Sequence, residues 1–173
     1  GLLARLIAPA IDRVLDEIDR RLRRGGLEAI LPNGAKRRLG EIAGQRRAVI
    51  DLLAPTPGER LLDVGCGPGL LLVELAERMA QGQVAGLDAS AAMLGLAAAE
   101  VGNASGHDIR LVRGDAVGMP FADGEFDAAV VTQVYEWIED VPGALAELRR
   151  VLRPGGRAVV LDTDWGTMAW HAG

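Results

Sequence analysis

Residues 60–75, RLLDVGCGPGLLLVEL, constrain the fold of this chain more than any other stretch. An apolar run, a turn with three glycines and a second apolar run follow one another directly. The glycines at positions 65, 67 and 69 can adopt backbone angles that a Cβ would forbid, so the chain can turn sharply and approach a ligand. This order predicts a buried strand, a glycine turn and a helix that begins near residue 70.

The spacing of these glycines limits the class of ligand. They read G-x-G-x-G, whereas the dinucleotide fingerprint G-x-G-x-x-G would place its third glycine at Leu70, which is neither glycine nor alanine. The departure counts against a nicotinamide or flavin cofactor. A nicotinamide-dependent oxidoreductase is therefore kept only as a less favoured alternative.

Strand and helix patterns alternate along the rest of the chain. Short apolar runs predict strands at residues 84–88, 109–113, 126–132 and 157–161, the last after a turn at residues 153–156. Helical patterns lie between them, at residues 70–79, 91–101 and 142–152. Alternation of this kind is typical of a doubly wound α/β fold, a parallel sheet with helices on both faces, whose ligands bind at the carboxyl ends of the strands.

Residues 1–54 differ from the remainder in pattern and charge. Apolar residues recur at helical spacing over residues 2–24 and more loosely over residues 35–53. Lys and Arg exceed Asp and Glu in the first fifty residues, although the whole chain has a net charge of −5. We predict that residues 1–54 form a helical cap or lid, or pair two subunits in a homodimer, and that residues 55–173 form a cofactor-binding core.

Composition excludes several classes of protein. No apolar run reaches the roughly 18 residues of a membrane span. The single cysteine, Cys66, excludes an internal disulfide and a multi-cysteine metal site, so we predict no metal and a cytoplasmic location. The acidic core has no basic stripe, which argues against a nucleic-acid partner.

Three acids follow successive predicted strands: Asp63, Asp88 and Asp115. A single acid in this position most often caps a helix or a turn. However, the carboxyl ends of parallel strands share one edge of a sheet, and Asp88 follows the glycine turn at the distance where an acid accepts bonds from ribose hydroxyls. We expect an acidic pocket with no basic residue in the strand-end motifs, which suits a positively charged, ribose-bearing ligand better than a polyphosphate.

The segments LLDVGCGPG, VAGLDAS, RGDAVGMPFADGEFDAAV and ELRRVLRPGGRAVVLD resemble, in this order, the motifs of class I S-adenosylmethionine-dependent methyltransferases. The resemblance is strongest to the group that acts in ubiquinone and menaquinone biosynthesis, and it extends over about residues 45–165. It implies a Rossmann-like sheet of order 3-2-1-4-5, S-adenosylmethionine as cofactor, S-adenosylhomocysteine as product and a small-molecule methyl acceptor. We expect no counterpart of strands 6 and 7 of that family in this chain, so a fragment or a non-catalytic cofactor-binding module is a second alternative.

The resemblance also implies roles for individual residues. The methionine part of the cofactor would lie on Gly65, Cys66 and Gly67, with Cys66 as a small space-filling side chain and Asp63 fixing the amino group. The ribose would lie on Asp88 and Ala89, the adenine on Asp115 and Ala116, and the methyl group beside Gln133 and Val134.

Methyl transfer from a sulfonium depends mainly on the alignment of donor and acceptor. A base is needed only where the acceptor's nucleophile carries a proton. The predicted candidates are Tyr135 and His171, followed by Glu136, Asp162 and Asp164. Tyr135, Trp137 and Trp165 either line an apolar acceptor site or pack in the core, and for Trp137 we expect packing.

Overall fold

The computed structural model describes residues 35–79, 81–104 and 106–162. Within these residues, strands β1 (Arg60–Val64), β2 (Gln83–Asp88), β3 (Asp108–Arg113), β4 (Phe126–Thr132) and β5 (Leu152–Leu161) form one parallel sheet in the order β3-β2-β1-β4-β5. The predicted doubly wound α/β class and its sheet order are confirmed.

Four α-helices of the described residues accompany the strands: the first precedes β1, and the other three connect β1 to β2, β2 to β3, and β4 to β5. They are α1 (Ala35–Leu53), α2 (Leu70–Arg78), α3 (Ala91–Asn103) and α4 (Val141–Val151). The Ser90 hydroxyl accepts the Met93 N–H at 3.3 Å ahead of α3, and the Asp140 carboxylate accepts the Gly143 N–H at 2.9 Å ahead of α4. Such caps replace the bonds that the first amide groups of a helix lack.

Two apolar layers cover the two faces of the sheet. Successive side chains of a strand point to opposite faces, so Leu61 joins one layer and Leu62 the other, and both are fully buried. The first layer contains Leu53 of α1 and Leu72 of α2, while the second contains Leu148 of α4. Burial on both faces explains why the central strands β1 and β4 are mostly apolar, with Asp63 as a buried exception in β1.

Strand β5 begins earlier than predicted. Leu152 pairs with Phe126, and the next paired residue of β5 is Arg157, opposite Ala128. The residues between them form a bulge, because Pro154 lacks an N–H group and Gly155 has a φ of +79°. The turn predicted at residues 153–156 therefore lies inside a strand that starts before it. In the described part of the chain, β5 pairs only with β4 and is an edge strand.

The N-terminal predictions fall mostly outside the described residues. The helix predicted at residues 35–53 is present as α1, whereas the helix predicted at residues 2–24 is not covered. The chain divides into units of residues 1–45 and 46–173, and the second contains the sheet. Among the helices that are described, none combines the length and apolarity needed to cross a bilayer.

Candidate functional site

A cleft of about 310 Å³ opens at the carboxyl ends of the strands. It lies beside the glycine turn after β1 and is bordered by the ends of β2 and β4 and by the loop after β3. Seven residues that the sequence predicts for the cofactor line this cleft: Gly65, Asp88, Ala89, Asp115, Ala116, Gln133 and Val134. The structure thus brings together the residues assigned to the ribose, the adenine and the methyl group.

The glycine turn is fastened to the neighbouring strand β2. The Gly65 and Cys66 N–H groups donate to the Leu87 carbonyl oxygen at 2.7 and 2.9 Å. Gly65 has a φ of +71°, and a Cβ at this position would collide with the Val134 side chain. Only glycine therefore allows the turn to pack beside the segment that follows β4.

Asp88 holds two pieces of backbone at the edge of the cleft. Its Oδ2 accepts the Gly67 N–H and its Oδ1 accepts the Ser90 N–H, both at 2.8 Å. A carboxylate oxygen has more than one lone pair, so each atom can still accept a ligand hydroxyl. Asp88 therefore connects the glycine turn to the start of α3 and also presents acceptors to the cleft.

Asp63 lies in β1, two residues before Gly65; it is only 1% exposed and does not line the cleft. Neither carboxylate oxygen has a hydrogen-bond partner among the described residues. Burial, together with the nearby negative charge of Asp88, raises the pKa of Asp63 to about 8. A buried polar group without a partner is uncommon and costs free energy, so this carboxyl group favours a ligand that brings positive charge to the turn.

Cys66 and Gly67 lie at the turn but do not line the cleft. The Cys66 side chain is buried in the apolar layer that includes Leu71 and Leu72. Burial, with the charges of Asp63 and Asp88, raises the pKa of the Cys66 thiol to about 12, so the thiol stays protonated at neutral pH. Apart from Gly67 and its two chain neighbours, no described residue has an atom within 4 Å of the position that a Cβ of Gly67 would occupy.

The expectation that the strand ends lack a basic residue is wrong. Arg113, the last residue of β3, pairs in register with Asp88, and its Nε donates to the Ala89 carbonyl oxygen at 3.3 Å. Its side chain is exposed and does not line the cleft. The Arg113 guanidinium therefore lies beside the Ala89 backbone, and the described residues that line the cleft include Asp88 and Asp115 but no basic residue.

The segment after β4 forms the opposite wall. Gln133 has a φ of +56°, which is uncommon outside glycine, and its N–H donates to the Leu161 carbonyl oxygen at 2.8 Å. A short 3₁₀ turn, Tyr135–Trp137, follows. Trp137 is 74% exposed and lines the cleft, so the packing role expected for it is wrong.

The two predicted catalytic residues lie outside the cleft lining or outside the described chain. The Tyr135 N–H donates to Asp162 Oδ2 at 2.8 Å, whereas the Tyr135 hydroxyl is buried and has no partner within residues 35–162 that are described. Burial and the charge of Asp162 raise the pKa of Tyr135. His171 and Asp164 lie outside the described residues.

Five residues that line the cleft are not among those assigned to the site from the sequence. Two of them are buried near the end of a strand, one directly follows a strand, and two lie in the 3₁₀ turn or directly after it; all but the glycine are apolar, which predicts core packing rather than a site. They are Val64, Leu87, Gly114, Trp137 and Ile138. Gly114, next to Asp115, had the clearest available signal, because it occupies the turn directly after a predicted strand.

Comparison with known proteins gives a consistent result. The model of a family described as "Methyltransferase domain" matches residues 62–160. The chain is 41% identical over 119 residues to the 2-phytyl-1,4-naphtoquinone methyltransferase of Synechococcus elongatus, which covers 68% of this chain and 51% of that protein. It is 39% identical over 117 residues to the demethylmenaquinone methyltransferase of Thermus thermophilus, with coverages of 68% and 53%.

Solved structures agree with these relatives. Phosphoethanolamine N-methyltransferase 2 of Haemonchus contortus, in complex with S-adenosyl-L-methionine, superposes with a TM-score of 0.63 at 27% identity. The match covers 68% of this chain and 27% of that protein. The chain thus spans about half the length of the two quinone methyltransferases and a smaller part of this third protein.

Proposed function

Because the chain belongs to the methyltransferase domain family, we propose that it transfers a methyl group from S-adenosylmethionine to a small-molecule acceptor. Membership confirms the predicted class I family and its cofactor. Neither the nicotinamide-dependent alternative nor the non-catalytic one gains support from any observation. The acceptor and the reaction of the whole protein are the parts that we propose.

The observation that carries this proposal is the buried, unpaired carboxyl group of Asp63. S-adenosylmethionine has an ammonium and a sulfonium, and positive charge over the glycine turn would stabilise Asp63 in its ionised form. Direct contact is not required, since charges attract over several ångströms where little water screens them. A phosphate-rich dinucleotide would instead add negative charge beside Asp63 and Asp88.

Residues around the cleft suit the parts of this cofactor. We assign the methionine part to Gly65, Cys66 and Gly67, beside the N-terminus of α2. Gly69 precedes α2 and has no side chain to cap it, so the first amide groups of this helix can favour a ligand carboxylate. The remaining assignments are those made from the sequence: Asp88 and Ala89 for the ribose, Asp115 and Ala116 for the adenine, Gln133 and Val134 for the methyl group.

The cofactor supplies an electrophilic methyl group, and the contribution of the protein is alignment and exclusion of water. Val134, Trp137 and Ile138 form an apolar side of the cleft that can hold an apolar acceptor. Two relatives are quinone methyltransferases, so we propose a quinone-type acceptor. The raised pKa of the buried Tyr135 phenol means that Tyr135 would hold its proton at neutral pH and is a poor general base there.

For residues 1–54 we propose the cap, lid or homodimer role suggested by their apolar period and basic charge. Hydrogen exchange with and without S-adenosylhomocysteine, at two protein concentrations, tests it. Ligand-dependent protection over residues 2–24 supports a lid, and concentration-dependent protection supports a homodimer. Fast exchange under every condition would exclude both.

Calorimetry with S-adenosylmethionine, S-adenosylhomocysteine and NAD tests the cofactor part directly. We expect both adenosyl compounds to bind and NAD not to bind. Asp63→Asn keeps the shape of the side chain, and we expect it to weaken the binding of both adenosyl compounds. Tighter binding of NAD would overturn the proposal. Transfer of a radiolabelled methyl group to a panel of hydroquinones and to phosphoethanolamine then tests the acceptor class.

A further inference from the structure

The loop between β3 and β4 has two halves with different neighbours. Its first half, Gly114 to Ala116, lines the cleft. Asp115 turns the chain there, because its Oδ1 accepts the Val117 N–H at 3.1 Å. The second half, from Met119 to Asp123, runs along α4, and both Met119 and Phe121 are buried against that helix.

Two charged residues of α4 hold the second half of this loop. Arg150 donates from Nη2 to the Met119 carbonyl oxygen at 2.9 Å and from Nη1 to the Phe121 carbonyl oxygen at 2.8 Å. Glu147 Oε2 accepts the Met119 N–H at 2.7 Å. Arg150 also pairs with Glu147 through Nε and Nη2, at 2.7 and 2.8 Å, and with Asp123 at 2.8 Å.

These bonds fix the loop by its backbone, so they restrain its course whatever its side chains are. Met119 lies three residues after Ala116, and the side chains of both are buried in the same apolar layer as Leu148 of α4. A displacement of Met119 would therefore reach the residues that line the cleft. We propose that Arg150 and Glu147 are positioning residues for the adenine side of the cofactor site, an inference that rests on the proposed role of Asp115.

The chain contains a matched comparison for this pair. Arg157 donates from Nε to the Leu53 carbonyl oxygen and from Nη2 to the Ala54 carbonyl oxygen, at 2.7 and 2.9 Å, and forms two bonds of 2.7 Å with Glu59. Both arginines bind two backbone carbonyls and one glutamate, and Arg150 has Asp123 as an additional partner. However, Arg157 fastens the end of α1 at the amino end of the sheet, away from the cleft. Its loss should affect stability alone.

The test measures dissociation constants for S-adenosylhomocysteine and for its inosine counterpart, in which oxygen replaces the adenine amino group. Wild-type protein should prefer the adenine compound. Arg150→Lys keeps the charge but cannot reach both carbonyls and the glutamate at once. We expect Arg150→Lys to weaken the binding of S-adenosylhomocysteine about tenfold and to reduce the preference for the adenine compound. Arg157→Lys should lower the melting temperature and change neither the dissociation constant nor the preference.

Glu147→Gln provides a second variant if Arg150→Lys does not fold, and it should reduce the same preference. A merely structural role would lower the melting temperature without altering the ratio of the two dissociation constants. If the wild type prefers the adenine compound and the Arg150 and Glu147 variants show the same ratio of dissociation constants, the positioning role is overturned. A wild-type protein without preference would overturn it together with the proposed adenine role of Asp115.

Discussion

The acids at the two ends of the sheet differ in their surroundings. At the amino end, Glu59 accepts two hydrogen bonds from Arg157, and Asp127 accepts the Arg60 N–H at 2.7 Å and a bond from Arg153. At the carboxyl end, Asp63 is more deeply buried and has no partner among the described residues. The first two acids stabilise the fold as it stands. Asp63 costs free energy until a ligand compensates its charge.

The pKa values of these acids move in opposite directions. The hydrogen bonds from Arg157 lower the pKa of Glu59 to about 2, whereas burial and the charge of Asp88 raise the pKa of Asp63 to about 8. The contribution of Glu59 is present above its unfolded pKa of 4.5 and is lost as the pH falls toward 2. Near pH 4 the carboxyl group of Asp63 is protonated in the folded protein and its charge does not lower the free energy of unfolding. The loss in stability grows as the pH rises to 8, and it reaches its full size above pH 8 because the buried group is then ionised.

The largest effect should come from Asp63→Asn. Above pH 8 and without ligand, the variant should exceed the wild type in free energy of unfolding by on the order of 3–5 kcal/mol, because burial no longer acts on a charge. Near pH 4 the two proteins should be equally stable. Urea unfolding at pH 4, 6 and 8.5 measures the difference. Equal stability of the two proteins at pH 8.5 would show that Asp63 is not an uncompensated charge.

Cofactor binding should release a proton from Asp63. Below its folded pKa the free protein holds this proton, so the affinity for S-adenosylhomocysteine should rise by up to about tenfold per pH unit between pH 6 and 7.5. Asp63→Asn should bind more weakly and lose this slope. Calorimetry at pH 6.5 in buffers of different ionisation enthalpy counts the protons released. A count of zero for the wild type would contradict the prediction.

Glu59→Gln probes the other end of the sheet. It should lower the free energy of unfolding by about 2 kcal/mol at neutral pH, since it replaces charge-assisted bonds by neutral ones. The difference should vanish toward pH 2, where wild-type Glu59 takes up a proton. The dissociation constant of S-adenosylhomocysteine should not change, and a change above about threefold would mean that the two ends are coupled.

The smallest effect on stability should come from Trp137→Ala. Trp137 is 74% exposed, so the free energy of unfolding should change by less than about 0.5 kcal/mol. Binding of S-adenosylhomocysteine should weaken a few-fold, because the cleft loses an apolar wall. Leu52→Ala is the control, since Leu52 is 73% exposed on α1 and does not line the cleft. Equal binding by the two variants would remove Trp137 from the site.

Much of the fold could be predicted because its signals are local or lie in ordered motifs. Apolar runs and glycine turns marked the strands to within one or two residues at most ends, and the motif resemblance supplied the sheet order. The start of β5 was predicted wrongly, since Pro154 and Gly155 are typical of a turn. The pairing of Leu152 with Phe126 joins residues 26 positions apart, and no local pattern reports it.

The acids of the site were found from the sequence for a similar reason, since strands that run parallel must end at one edge. Their different states were decided by packing. Asp88 is tied to the Gly67 and Ser90 amides, and Asp63 is left without a partner, although both read simply as acids at strand ends. The burial of each acid and its hydrogen-bond partners depend on residues of other segments that pack beside it in the folded protein. The residue types and their order therefore predict where a ligand should bind and which charge it should have, whereas the tertiary structure alone decides that Asp88 supports the backbone and that Asp63 has no partner among the described residues.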